Sequence, residues 1–226
     1  MTATPLARSP LTVLPLAFLF IIGRPDSAPP RLPPLPPLPP RSEAHGRAAD
    51  PINLVLLGGA ADVEQAFRTV GWTRAAHKSV GSLIKEGFAV LARRPDAHAP
   101  VATQHVAGRV QDAAYELAGA TARVRDHVRL WRVGAGDGTW AGAATQDVGM
   151  LLNPLKRRFT HRIAPAVDDE RDRIVASLRL AGCADLLGYV RLTGAVERGR
   201  NAANQPFFTD GRAAVMRVHA CPQPRR

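Results

Sequence analysis

Six residues from Ile52 to Leu57 read Ile-Asn-Leu-Val-Leu-Leu and stop at Gly58-Gly59, the run of a buried strand. Val63, Ala66, Phe67 and Val70 then recur at helical spacing, with Asp62 placed to cap that helix and Gly71 to end it. The helical period returns from Ser79 to Leu91, where Val80, Leu83, Ile84, Phe88 and Leu91 share a face, and Pro95 closes the segment. Arg109 to Glu116 is polar without a clear period. From Arg125 to Val133 the period becomes two: Arg125, His127, Arg129 and Trp131 point one way, Val128 and Leu130 the other. Gly134 to Gly138 supplies a turn, and Trp140 to Met150 returns as a strand of small residues, so this stretch is a hairpin. A slip of one residue in its register decides whether Thr145 and Asp147 join the face of His127. A third helix opens at Asp168-Asp-Glu170, with Ile174, Val175, Leu178 and Ala181 as its apolar stripe and Gly182 at its end. A strand from Leu187 to Leu192, a polar loop with Arg198, Arg200 and Asn201, and a last strand from Arg212 to His219 complete the chain. Together these elements predict a single α+β domain, a mixed sheet of about five or six strands with about three helices packed on it.

The first fifty residues are of another kind. An apolar run from Leu11 to Ile22 follows Arg8, long enough for a signal-peptide core and too short to span a bilayer unaided. Asp26 and Pro29 spoil the nearest cleavage site, at Ala28, so residues 1–28 read as a signal or an anchor. Arg24, Arg31 and Arg41 behind the run favour a cytoplasmic domain by the positive-inside rule, whereas the signal-peptide reading favours export. Export to, or anchoring at, the cell envelope is the expectation; a cytoplasmic domain is the alternative. Pro29 to Pro40 lacks the N–H donors that a helix or ladder needs and predicts polyproline II, a semi-rigid stalk continuing as a flexible linker to Asp50. The folded domain is then expected over residues 51–218, with residues 219–226 as a tail.

The net charge of +11 raises the question of an anionic partner. The arginines are scattered, with no run longer than Lys156-Arg157-Arg158, so no specific nucleic acid is expected. Cys183 and Cys221 match no zinc or redox spacing; they are either free buried thiols or, in an oxidising compartment, a pair.

Several segments in order carry a resemblance. They are Ile52–Gly58, Gly71-Trp72, Gly108-Arg109-Val-Gln-Asp112, His127-Val-Arg-Leu-Trp131, Trp140-Ala-Gly-Ala-Ala-Thr-Gln-Asp147, Thr160-His-Arg-Ile163, Val167-Asp-Asp-Glu-Arg-Asp172, Arg200-Asn201 and Phe208-Thr-Asp-Gly-Arg212. In this order the chain resembles the LssY-like C-terminal domain over about residues 51–218. The resemblance implies a domain of unknown activity that often stands behind membrane-embedded modules, and so work at the bacterial envelope near lipid phosphates. The Lys/Arg, Ser-Gly-His and Arg/His motif set of phosphatidic-acid phosphatases is not in this sequence.

The candidate chemistry gathers on the alternating strand. Arg125, His127 and Arg129 beside Trp131 could form an anion pocket, or be a strand face matched by acids such as Asp147 and Glu116. Arg109, Gln111 and Asp112 of the polar loop, with Asp147, His161, Arg200 and Asn201, complete the candidate anion- or partner-binding set. His127, His161, Asp147 and Asp168 have the donor types of a metal or acid–base site, but no tight His-x-x-x-His spacing, and neither a metal nor a cofactor is assigned. The expected function is binding of an anionic small ligand or of a membrane or envelope protein partner. The alternative is a hydrolase of phosphorylated envelope or lipid substrates, with His127 or His161 as acid–base and Arg129 clamping phosphate.

Overall fold

The computed structural model describes residues 32–75, 102–119, 124–134, 136, 138–153 and 158–223, and of residues 150–153 and 158–161 only the backbone. In chain order its elements are β1 (Arg41–Ala44), β2 (Arg47–Pro51), β3 (Leu54–Leu57), α1 (Ala60–Thr69), β4 (Thr73–Arg74), β5 (His105–Val106), β6 (Arg109–Val110), β7 (Ala113–Ala118), β8 (Arg125–Arg132), β9 (Thr139–Asn153), β10 (Arg158–Ile163), α2 (Val167–Leu180), β11 (Ala184–Arg191), β12 (Arg198–Arg200), β13 (Pro206–Phe208) and β14 (Arg212–Val218). Eight strands make one sheet in the order β11-β14-β3-β9-β8-β7-β4, with β10 paired to β9. Only β14 and β3 run parallel in it; the other pairings are antiparallel. A four-stranded sheet, β2-β1-β5-β6, and the β12–β13 ribbon complete the fold.

This overturns the expected α+β arrangement. The chain is mostly β, with large multi-stranded sheets and two helices among the described residues rather than three helices on five or six strands. The extra strands are short and polar, as in Arg41–Ala44, His105–Val106 and Arg109–Val110, and two residues carry no readable period. The helix expected from Ser79 to Leu91 lies outside the described residues.

Alternation along the strands gives the large sheet two faces. Leu54, Leu56, Val128, Leu130, Tyr115, Ala214 and Met216 form one core with Val63 and Phe67 of α1 and Ile174, Val175 and Leu178 of α2. Phe67 stacks on Tyr115 at 4.8 Å between centroids and meets Trp72 edge-on at 5.6 Å. Gly142 is required where β9 pairs with β3, since a Cβ there would sit 2.9 Å from the Cβ of Leu54. Asn53, in an otherwise apolar run, is buried and satisfied: its side chain bonds both N–H and C=O of Ala144, at 2.9 and 3.1 Å, and the carbonyl of Val167 at 3.2 Å, tying β9 to the start of α2.

The opposite face is covered by the small sheet and by the proline run. Val106 packs there with Val55, Trp131, Ala141, Ala143 and Val215, and Leu32, Leu35 and Leu38 lie against the same cluster. Polyproline II repeats every three residues, so leucines at 32, 35 and 38 share one side of the run. That side faces the domain, while Pro34 and Pro37 are exposed. Residues 32–40 are thus a strap on the sheet instead of the expected stalk, and residues 41–51 are strands instead of a linker. At the other end, Cys221 is bonded to Cys183 in a disulfide with Cα atoms 4.3 Å apart, so the segment expected as a tail is pinned beside the end of α2.

Candidate functional site

The β8–β9 register decides the face of the candidate residues. Arg125 stands opposite Asp147, His127 opposite Thr145, Arg129 opposite Ala143 and Trp131 opposite Ala141, while Glu116 of β7 flanks His127 from the other side. Thr145 and Asp147 therefore share the face of His127. His127, Arg129, Trp131, Thr145, Asp147 and Glu116 are all buried. Diagonal contacts pair these side chains: His127 Nε2 lies 2.9 Å from Asp147 Oδ2, and Arg125 Nη1 lies 3.9 Å from Glu116 Oε2. Two buried nitrogens on this strand, His127 Nδ1 and Trp131 Nε1, have no hydrogen-bond partner among the described residues.

Arg129 leads into a second, larger network whose hub is Asp50 of β2. Asp50 Oδ2 accepts from Arg129 Nη1 at 3.3 Å and from Gln104 Nε2 at 2.5 Å, and Oδ1 from Asn201 Nδ2 at 3.4 Å. Ser42 donates to Gln104 Oε1 at 2.6 Å, and Gln111 Oε1 accepts from the Gln104 N–H at 2.9 Å. Asn201 Oδ1 also accepts from the N–H groups of Ala203 and Gln205 at 3.0 Å each, closing the loop behind β12. Burial pulls the Arg129 pKa down, and Asp50 and Asp147 oppose that shift. Segments around Asp50, Gln104, Arg129 and Asn201, distant from one another in sequence, thus meet on the Asp50 carboxylate through buried side chains.

The other candidates lie apart. Arg109 is exposed and bonds Asp112 at 3.2 Å and the carbonyl of Arg132 at 3.4 Å, while Asp112 Oδ2 accepts from the Arg132 N–H at 2.8 Å. Arg200 is exposed on the β12–β13 ribbon. The side chain of His161 is outside the described residues; its backbone pairs with Met150. Asp168 bonds Thr209 Oγ1 at 2.8 Å and the Asp210 N–H at 2.6 Å, so it belongs to the start of α2. Arg109 thus stands at the surface with Asp112, while His127 and Asp147 form a buried pair. Among the described residues no group of three His, Cys, Asp or Glu side chains is placed to hold a metal ion. An open depression of about 490 Å³ along α1, lined by Ala61, Glu64, Gln65, Arg68 and Thr69, contains none of the candidates.

Two buried polar groups escaped the sequence reading. Asp50, Gln104 and Ser42 carry no pattern of their own, and only the pairing of β1, β2 and β5 brings them to Arg129. On the helix face, Glu170 of α2 is buried beside Asp126, which accepts from Gln146 Nε2 at 2.8 Å, and Arg173 contacts Glu170 at 2.5 Å. Burial and the charge of Asp126 raise the Glu170 pKa to about 8 in spite of Arg173. The acids of Val167–Asp172 read naturally as a helix start, and that masked the one among them that turns inward.

No curated protein and no solved structure matches the chain. A family model, LssY C-terminus, matches residues 33–213, beginning within the proline strap rather than at residue 51. The chain therefore belongs to the LssY C-terminus family.

Proposed function

We propose that the chain is an envelope-associated binding module that meets an anionic ligand or partner surface at its solvent-facing arginines. The carrying observation is the pairing on β8: Arg125 meets Glu116, His127 meets Asp147 and Arg129 meets Asp50, so these side chains are already engaged from within. An anion entering there would displace a carboxylate and strand a buried charge. Arg109 and Arg200 of the candidate set remain exposed and leave the outer surface as the place of contact. The Cys183–Cys221 disulfide supports export, because such bonds persist in oxidising compartments. The test is a reporter fused after Arg226 combined with thiol trapping in cells. An exported reporter and oxidised cysteines are expected; reduced cysteines with a cytoplasmic reporter overturn the reading.

A second reading has one specific observation behind it. The His127–Asp147 contact at 2.9 Å, with Nδ1 left without a partner among the described residues, is the geometry of a base held by its carboxylate. A screen of phosphate esters, with and without divalent metals, tests this hydrolase alternative. Turnover lost in folded His127→Ala and Arg129→Ala proteins would favour it, and turnover surviving both would remove it.

A further inference from the structure

We infer that the outer face of the β12–β13 ribbon is a docking surface for an anionic lipid bilayer, a deepening of the binding reading above that rests on it. The ribbon's register pairs Arg198 with Phe208, Gly199 with Phe207 and Arg200 with Pro206. Alternation then divides the ribbon. Phe207 turns inward, buried with Ile163 and Val167 and capped by the Arg41 guanidinium at 4.8 Å from its ring. Gly199 is the residue that admits this ring, since a Cβ there would lie 2.9 Å from it. Arg198, Arg200, Pro206 and Phe208 are left together on the outside, all exposed, with Phe208 at 51%.

The charges around the ribbon favour an anion. Glu197 is taken by Arg191 at 2.8 Å, and Asp210 by Arg171 and Arg212, each at 2.9 Å. Arg198 has no acidic partner among the described residues, and Arg200 donates only to the carbonyl of Asn204, at 2.7 Å. Two guanidinium groups without an acidic partner among the described residues thus flank an exposed aromatic ring on a two-stranded ribbon, and Val196, 44% exposed, adds apolar surface two residues before Arg198. A soluble polyanion would use the arginines and leave Phe208 in water. A bilayer takes both, phosphates on the guanidinium groups and the ring among the upper acyl chains.

The test uses the full chain with vesicles of phosphatidylcholine alone or mixed with phosphatidylglycerol. Parent and variants share the apolar amino terminus, so differences between them report on the ribbon. The parent is expected to bind the anionic vesicles more tightly, and Arg198→Gln with Arg200→Gln to cut that preference roughly 10- to 30-fold, at about 1 kcal/mol per cation. In Phe208→Trp, the new indole is expected to shift to the blue and be quenched by brominated acyl chains in anionic vesicles only. If the parent prefers anionic vesicles but the arginine variant keeps that preference, the ribbon assignment is wrong while the binding reading stands. Loss of preference in the arginine variant without quenching of the indole means an acidic soluble partner and overturns the bilayer. A parent indifferent to lipid charge overturns the proposal outright, and thiol trapping then decides separately whether the envelope reading survives.

Discussion

His127 and Asp147 sit diagonally across the β8–β9 pair, with Nε2 2.9 Å from Oδ2, because Thr145 and not Asp147 is the residue directly opposite His127. In Asp147→Ala the imidazole loses that partner in a site where water can replace it only in part. The expected loss is about 1–3 kcal/mol of folding stability. Urea denaturation measures it, and an unchanged midpoint would show that the pair adds nothing.

Asp50 carries a heavier role. Arg129, buried with it, depends on that carboxylate for charge balance. Asp50→Ala strands the guanidinium and is expected to cost about 3–5 kcal/mol. The double variant Asp50→Ala with Arg129→Met, which removes the charge as well, should recover part of this loss. A double variant worse than the sum of the singles would contradict the charge argument.

Glu170 makes stability depend on pH in a defined direction. Its folded pKa, about 8, lies above the ordinary value of 4.5, so the native state holds a proton that the unfolded chain releases. Its contribution is complete below pH 4.5 and is lost as pH rises through 8. Between pH 5 and 8.5 that loss amounts to at most roughly 4 kcal/mol. Glu170→Gln keeps the shape without the titration. Its urea midpoint should be flatter over this range than the parent's, and parallel profiles would rule the assignment out.

The disulfide closes a segment of 38 residues. Restricting the unfolded chain over such a loop stabilises the fold by about 4 kcal/mol in the chain-entropy model. Cys221→Ser, or reduction of the parent, should lower the denaturation midpoint accordingly, and reduction should leave the variant unmoved. A parent insensitive to reduction would sink this estimate.

The elements with long periods were legible in the sequence. The β8–β9 hairpin, the helix through Val63 and Phe67, the helix through Ile174 and Leu178, and the last strand all stand close to where their apolar spacing puts them. Legibility failed where order comes from distant pairing. Two-residue strands such as His105–Val106 have no period, and Asp50 becomes a hub only once β2 lies beside Arg129. The candidate face on β8 was correctly composed, since Arg125, His127, Arg129 and Trp131 do share it. Its acids were legible in part: Asp147 and Glu116 were in view, and Asp50 lay in what read as a linker.

The proline run yields the last prediction, because its leucines were in plain view and its role was not. Proline chemistry implies stiffness, which fits a spacer; the spacing of Leu32, Leu35 and Leu38 implies a face, which fits a strap. The structure shows the face packed on the Val55–Trp131 cluster. Leu35→Ala should then destabilise the domain by about 1–2 kcal/mol, less than a fully buried leucine because the site is only partly covered. Pro34→Ala and Pro37→Ala, on the exposed side, change mainly the freedom of the unfolded chain and should cost no more than about 1 kcal/mol. A free spacer would show no such alternation. Equal effects of Leu35→Ala and Pro34→Ala in urea denaturation would therefore return these residues to the role of a stalk, whereas a clear excess for the leucine fixes the strap as part of the folded domain.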